Sequence, residues 1–207
     1  RIRNLKVKVS EGYHETNDTK SGKISRITKY PLGLDEGFVL SGPHFFVSTP
    51  FYKTPREVCS LNSHYDFIDL TKIGGAFLPR ANYQESTPLM DSNYKLVMRK
   101  MVGSASERTL IGSISPPLFS HVNSVISISF ENDTDLILFA GLVSSIPFDF
   151  ILKVMGVANL TDSRIKSFPT NFIKKELRQQ FKNRVLLLNC LNEFYENLFN
   201  NQNYLFC

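Results

Sequence analysis

The sequence predicts a mixed α/β chain: an antiparallel strand-and-loop layer, then a buried, kinked helix pair, then a long amphipathic closing helix. Three observations predict it. Segments 94–102, 108–114 and 124–130 alternate apolar with polar residues or are rich in β-branched ones, as neighbouring antiparallel strands are. Segment 134–145 is apolar on nearly every side, which suits a helix enclosed by other elements. Segment 172–200 carries apolar residues at steps of three and four, the spacing of one helical face.

In chain order, Ile2, Leu5, Val7 and Val9 alternate and read as a strand within 1–12. Residues 13–26 are polar, with Gly22 and several Thr, Ser and Lys, and read as a mobile turn region. Between 33 and 88, short apolar runs are interrupted by Pro, Gly and aromatic residues. Strand candidates there are 38–40, 45–47 and 67–70, set apart by Pro43, Pro50, Pro55 and Gly74-Gly75. In 94–102, Tyr94, Leu96 and Met98 alternate with Lys95 and Arg99. Segment 108–114 runs out at Pro116-Pro117. In 124–130, Val125, Ile126, Ile128 and Phe130 are interleaved with serines.

Asp133 is placed to cap the helix over 134–145, and Leu136, Ile137, Phe139, Ala140, Leu142 and Val143 surround that helix with apolar surface. Pro147 forces a break. A second helix over 148–154 ends at Gly156, a residue suited to a left-handed C-cap. After a loop through Phe168-Pro169, the closing helix lines up Ile173, Leu177, Phe181, Val185, Leu188, Leu191, Tyr195 and Leu198. Its other face bears Lys174, Lys175, Arg178, Gln179, Lys182, Asn183 and Glu196.

The chain has 207 residues, 42% hydrophobic and 21% charged, enough for a real core and unlike a disordered segment. It opens at Arg1 and reads as part of a longer protein. A net charge of +5 and a pI near 9.1 are compatible with a polyanion partner without assigning one. Cys59, Cys190 and Cys207 are odd in number and lack a CxxC spacing, so neither a disulfide framework nor a metal site is expected. Reduced thiols and the lack of an apolar leader place the expected compartment in the cytoplasm. The longest apolar stretch, 136–155, holds Pro147, Asp149 and Lys153 and reads as buried helix, so no membrane partner is expected.

Catalytic signatures are missing from the text. There is no GxGxxG, GxxxxGK[ST] or HExxH. His14, His44, His64 and His121 stand apart. Cys59, His64 and Asp66 form a triad only on paper, with nothing around them that marks an exposed nucleophile. No catalytic, cofactor or metal residue is assigned.

Several stretches, in order, resemble the C-terminal half of type IIG adenine-specific DNA methyltransferases, single-chain enzymes of restriction–modification systems. They are Gly42-Pro43-His44-Phe45 with Thr49-Pro50-Phe51-Tyr52-Lys53-Thr54-Pro55; Tyr65-Asp66-Phe67-Ile68-Asp69-Leu70 with Leu78-Pro79-Arg80-Ala81-Asn82-Tyr83; and Arg99 with Ser106-Glu107-Arg108-Thr109-Leu110-Ile111 and Pro116-Pro117. The run 184–195 resembles the family's closing helix. Ser106, Ala81 and Val143-Ser144-Ser145 depart mildly from the family pattern.

The resemblance implies a target-recognition domain over 1–170, like the halves of type I specificity subunits, and a closing helix over 171–207 that acts as spacer or docking rod. It implies double-stranded DNA and the parent's methyltransferase domain as partners. It places catalysis and S-adenosylmethionine upstream of this chain, with no cofactor held here.

Duplex recognition needs phosphate contacts for register and base-edge contacts for sequence. The candidate DNA-binding residues are Lys20, Lys23, Arg26, Lys29, Lys53, Arg56, Arg80, Asn82, Tyr83, Arg99, Lys100 and Arg108. Each also has a purely structural reading. Arg80 is equally a loop residue tying Asp66 or Asp69, Tyr83 a packing aromatic, and Glu107 with Arg108 a turn brace. Lys20, Lys23, Arg26 and Lys29 are equally a solvated turn. Base reading is expected where the resemblance is poor, at 13–30 or 118–124. Two other functional classes stay open: a protein-docking module of a methylase complex, and a small enzyme with a site of unfamiliar form.

Overall fold

The computed structural model describes residues 6–31, 33, 36–88, 91–103, 105–170 and 173–202. Its first elements are β1 (Val7–Ser10), α1 (Glu15–Lys20), β2 (Ile24–Ser25), β3 (Phe38–Leu40), β4 (Lys53–Pro55), β5 (Tyr65–Phe67) and β6 (Gln84–Glu85). The strands β7 (Lys95–Arg99), β8 (Gly112–Ser115), β9 (Phe119–His121) and β10 (Val125–Phe130) follow. The helices α2 (Asp133–Ser144), α3 (Ile146–Met155), α4 (Asp162–Ser167), α5 (Arg178–Asn189) and α6 (Glu196–Asn200) close the chain. Mixed α/β architecture is therefore as expected. Ile2, Leu5, Phe172 and Cys207 lie outside the described residues.

The three late strands and β1 form one antiparallel sheet in the order β1-β10-β7-β8. Residues directly opposite one another in such a ladder share a face. Leu96 faces Ile128 and Ile114, and Val9 faces Ile128, so one face is apolar. Lys8, Ser129, Lys95 and Ser115 form a row on the other face. Helix α2 lies over the apolar face, and α5 covers the far side of α2. Gly141 permits this approach, because a Cβ there would collide with Phe181 and Val185 of α5. A second sheet, β2-β6-β3-β9, contains the parallel pair β3/β9. The hairpin β4-β5 stands separately.

Five local expectations differ from the structure. Residues 13–26 hold α1 and β2 instead of a mobile turn. The His14 ring accepts from Asn17 N–H and the Asp18 carboxylate accepts from His14 N–H, a reciprocal N-terminal cap. Segment 45–47 is no strand; Ser48 adopts φ 54° in a tight turn that pairs Phe46 with Thr49. The strand expected at 67–70 is instead β5, and Leu70–Lys72 is a short 3-10 turn capped by Asp69. The strand expected at 108–114 starts only at Gly112, because the Asp149 carboxylate accepts from Thr109 N–H and Leu110 N–H, each at 2.7 Å. Asn132, not Asp133, caps α2. The break at Pro147 is real, with α2 and α3 bent by 66°.

The long closing helix is the main correction. It is broken at Cys190–Asn192, and α5 begins only at Arg178. Tertiary hydrogen bonds outcompete helical continuation. Asn189 Oδ1 accepts from Ile114 N–H at 2.9 Å, and Tyr195 O–H donates to Ile114 C=O at 2.8 Å. Asn192 caps the next 3-10 turn while donating to Phe77 C=O. The break also shifts the buried phase: Leu186 is fully buried, whereas Leu177 and Leu188, expected inside, are exposed.

Replacing Asn189 with Leu should strand a buried N–H on β8 and cost about 2–3 kcal/mol. Tyr195→Phe should cost about 1 kcal/mol. Urea midpoints at constant m-value check both. A change below the error of the fit for Asn189→Leu would mean that the edge contact is dispensable.

Candidate nucleic-acid interface

A cleft of about 650 Å³ opens between the segment α1–β2, the Gly42–His44 turn, the loop joining β4 to β5 and the end of β7. Its wall holds three cations, Arg26, Lys53 and Arg99, against one carboxylate, Glu15. Asn62, Asn82, Tyr65 and Tyr83 supply amides and phenols.

Each group is set by its own chain segment. Arg26 follows β2 and donates to the Cys59 and Ser60 carbonyls, the latter at 2.8 Å. Arg99 ends β7 and donates to the carbonyls of Gly42 at 2.8 Å and Phe45 at 2.7 Å, so it ties the Gly42–His44 turn to the antiparallel sheet. Burial lowers its pKa. Lys53 opens β4 with its ammonium 4.2 Å from the Phe67 ring centroid and 5.5 Å from that of Tyr52. Such contacts hold a cation in place without neutralising it. Phe67 is 68% exposed, at the edge of an aromatic run through Tyr52 to Phe46.

The floor is fully hydrogen-bonded. Asn82 is buried and accepts from Thr28 O–H. Tyr83 donates to Glu15 at 2.9 Å, and burial together with that carboxylate pushes its phenol up to about 12. Burial also raises the Tyr65 phenol, which shares a 2.7 Å hydrogen bond with Ser41. Behind them, His44 Nδ1 accepts from Ser41 N–H and Nε2 donates to the Arg80 carbonyl at 2.9 Å. Burial therefore keeps this imidazole neutral, with a pKa of about 4. With both ring nitrogens engaged, His44 organises the floor and cannot shuttle protons.

Of the twelve sequence candidates, the cleft brings together Arg26, Lys53, Asn82, Tyr83 and Arg99. The others lie outside its wall. Lys23 pairs with Asp18, Lys29 with Glu36 and Lys100 with Glu11. Arg56 makes a two-pronged contact with Asp66. Arg80 does not tie Asp66 or Asp69; its guanidinium lies 4.5 Å from the Tyr30 ring centroid. Arg108 donates to Ser144 C=O and faces Asp149, joining the α2–α3 corner to the strand before it. Lys20 is exposed at the end of α1 and has no ion pair among the described residues. Sequence reading missed Glu15 and Asn62, which carry no motif. They reach the cleft only because α1 and the Asn62–His64 turn fold over it.

No protein-family model, curated protein or solved structure matches the chain. The function is read from the residues and their geometry. Among the described residues, no group of three or more His, Cys, Asp or Glu could hold a metal ion. No single described helix is long and apolar enough to cross a membrane; α2 and α3 together have the length, but they bend sharply and α2 is buried.

His44 and the equally buried His121, also held at about 4 by burial, make stability pH-dependent. In the unfolded chain both titrate near 6.5. Between these values the unfolded chain binds protons that the folded chain refuses. Stability is thus fully present above about pH 6.5 and is lost as the pH falls toward 4. As the pH falls from 6.5 to 5, unfolding free energy from urea titrations should fall with a slope that steepens from about 0.7 toward about 1.4 kcal/mol per pH unit for each histidine. His121→Gln should halve that slope; an unchanged slope would remove His121 from the account.

Proposed function

We propose that the chain is the DNA-recognition domain of an adenine-specific DNA methyltransferase of a restriction–modification system. It positions duplex DNA for methylation by a catalytic domain, in a longer cytoplasmic protein, that holds S-adenosylmethionine. One observation carries this reading. Five residues selected from four separate stretches of sequence for their DNA-binding chemistry line a single cation-rich cleft. The resemblance of the stretches around Lys53, Asn82-Tyr83 and Arg99 to the methyltransferase family supports it as well.

The roles divide by availability. Lys53 keeps its charge at the rim and suits a phosphate contact, as does the exposed Lys20. Asn62 is exposed at the mouth, and a carboxamide there can pair with an adenine edge. Asn82, Tyr83 and Arg99 spend their hydrogen bonds on the protein, so they shape the cleft.

A second reading, a protein-docking module of a methylase complex, is favoured by one stripe. Ile146, Phe150 and Val154 lie at helical spacing on α3 and are 75%, 63% and 68% exposed. In the DNA-recognition reading, the same stripe suits contact with the parent's methyltransferase domain.

Binding to random-sequence duplex should weaken steeply between about 50 mM and 200 mM salt. Lys53→Ala should flatten the log–log salt slope by about one and weaken all sequences alike. Asn62→Ala should cost about 1–3 kcal/mol at one base position. If folded protein binds no duplex at either salt, the docking reading replaces this one.

A further inference from the structure

The polar face of the antiparallel sheet borders a second cavity of about 780 Å³, and its lining shares no residue with the first cleft. The space between packed sheets is ordinarily filled by apolar side chains. Here the sheet presents the row Lys8, Ser129, Lys95 and, one step along, Ser10 beside Ser127. Strand β9 closes the far side with Ser120 and His121.

The charged and imidazole acceptors in this cavity have partners. Asp91 Oδ2 pairs with the Lys95 ammonium at 2.9 Å, and Asp91 Oδ1 accepts from Asn93 N–H and Nδ2. His121 Nδ1 lies 3.1 Å from Val122 C=O and must donate to it, so Nε2 accepts from Ser127 O–H at 2.8 Å. Lys95 uses a second proton on Phe119 C=O. Donors outnumber the one amide acceptor left, Asn93 Oδ1: the third Lys95 proton, the Lys8 ammonium and the Ser10 and Ser129 O–H groups have no acceptor among the described residues. Two ammonium groups also outnumber the one carboxylate in the lining. Lys95 is itself buried, so its charge acts in a medium that screens it weakly.

We infer that this cavity binds a phosphate ester, its oxyanion held by Lys8, Lys95 and Ser129. A surplus of donors with net positive charge selects a charged, acceptor-rich group. The volume exceeds that of one phosphate and leaves room for the organic part of an ester. That part belongs either to a free phosphorylated small molecule or to a nucleic-acid backbone.

The test is titration of this chain with inorganic phosphate, followed by amide NMR and matched in ionic strength with chloride. Saturable shifts are expected at Lys95, Ser127 and Ser129. Lys8→Ala and Ser129→Ala, at solvent-accessible positions that leave the Lys95–Asp91 pair intact, should each weaken binding about tenfold, the size of one lost charge-assisted hydrogen bond. Shifts equal to those in chloride, or unaffected by both variants, overturn the inference. A short DNA duplex separates the two sources. If the duplex moves the same amides and phosphate displaces it, the ester is a backbone phosphate; if phosphate alone moves them, it is a free molecule. Duplex binding at the first cleft would move Lys53 and Asn62 instead, so either reading can fail without the other.

Discussion

The open backbone edge at Ile114 is the constraint on which the closing half of the fold depends. Strand β8 ends the antiparallel sheet, and an edge strand exposes N–H and C=O groups that must find partners once covered. Asn189 and Tyr195 satisfy both groups of Ile114 with side chains. Reaching them requires the chain to leave its helix after Asn189 and re-enter it after Tyr195. The same segment lays α5 across α2, whose apolar surface is otherwise unprotected. One pair of hydrogen bonds thus joins sheet closure, helix termination and core burial.

A similar economy governs the first cleft. Arg99 sits at the end of a sheet strand, but its guanidinium is spent on two carbonyls of the Gly42–His44 turn and the residue after it. His44, in that turn, holds the Arg80 carbonyl. The loop layer from 41 to 83 is mostly irregular, and these polar ties do for it what ladder hydrogen bonds do for a sheet. The consequence is electrostatic. Most candidate cations around this layer are occupied by internal partners, whereas Lys53 and Lys20 have no ion pair among the described residues.

The two faces of the antiparallel sheet divide labour by period. Every second residue of β1, β7 and β10 enters the core; of the intervening residues, Val97 and Val125 are buried too, and Lys8, Lys95, Ser127 and Ser129 form a polar surface. The interleaved serines of 124–130 announced that alternation. That the polar face would border a cavity required β9 to arrive opposite it, and β9 does so through the parallel pairing with β3, a contact between distant parts of the chain.

By itself the sequence determined what local periodicity and composition can determine. The period of two in 94–102 and 124–130 specified the central strands. The all-round apolar character of 134–145 specified an enclosed helix, and Pro147 and Gly156 set its break and the end of the next helix. Residue type alone did not separate the five cleft residues from the other seven candidates; the fold did. Tertiary structure decided the rest. It held 108–110 out of a strand through one buried carboxylate, whereas the helix at 15–20 rests on a local cap between His14, Asn17 and Asp18. It broke the closing helix at Cys190, where local propensity favoured continuation. It also decided which cations stay free, by setting Asp66 against Arg56 and Tyr30 beneath Arg80. The physical reason is the same throughout: a buried backbone group or charge must find a partner, and that partner comes from wherever the fold brings one, which sequence spacing does not encode.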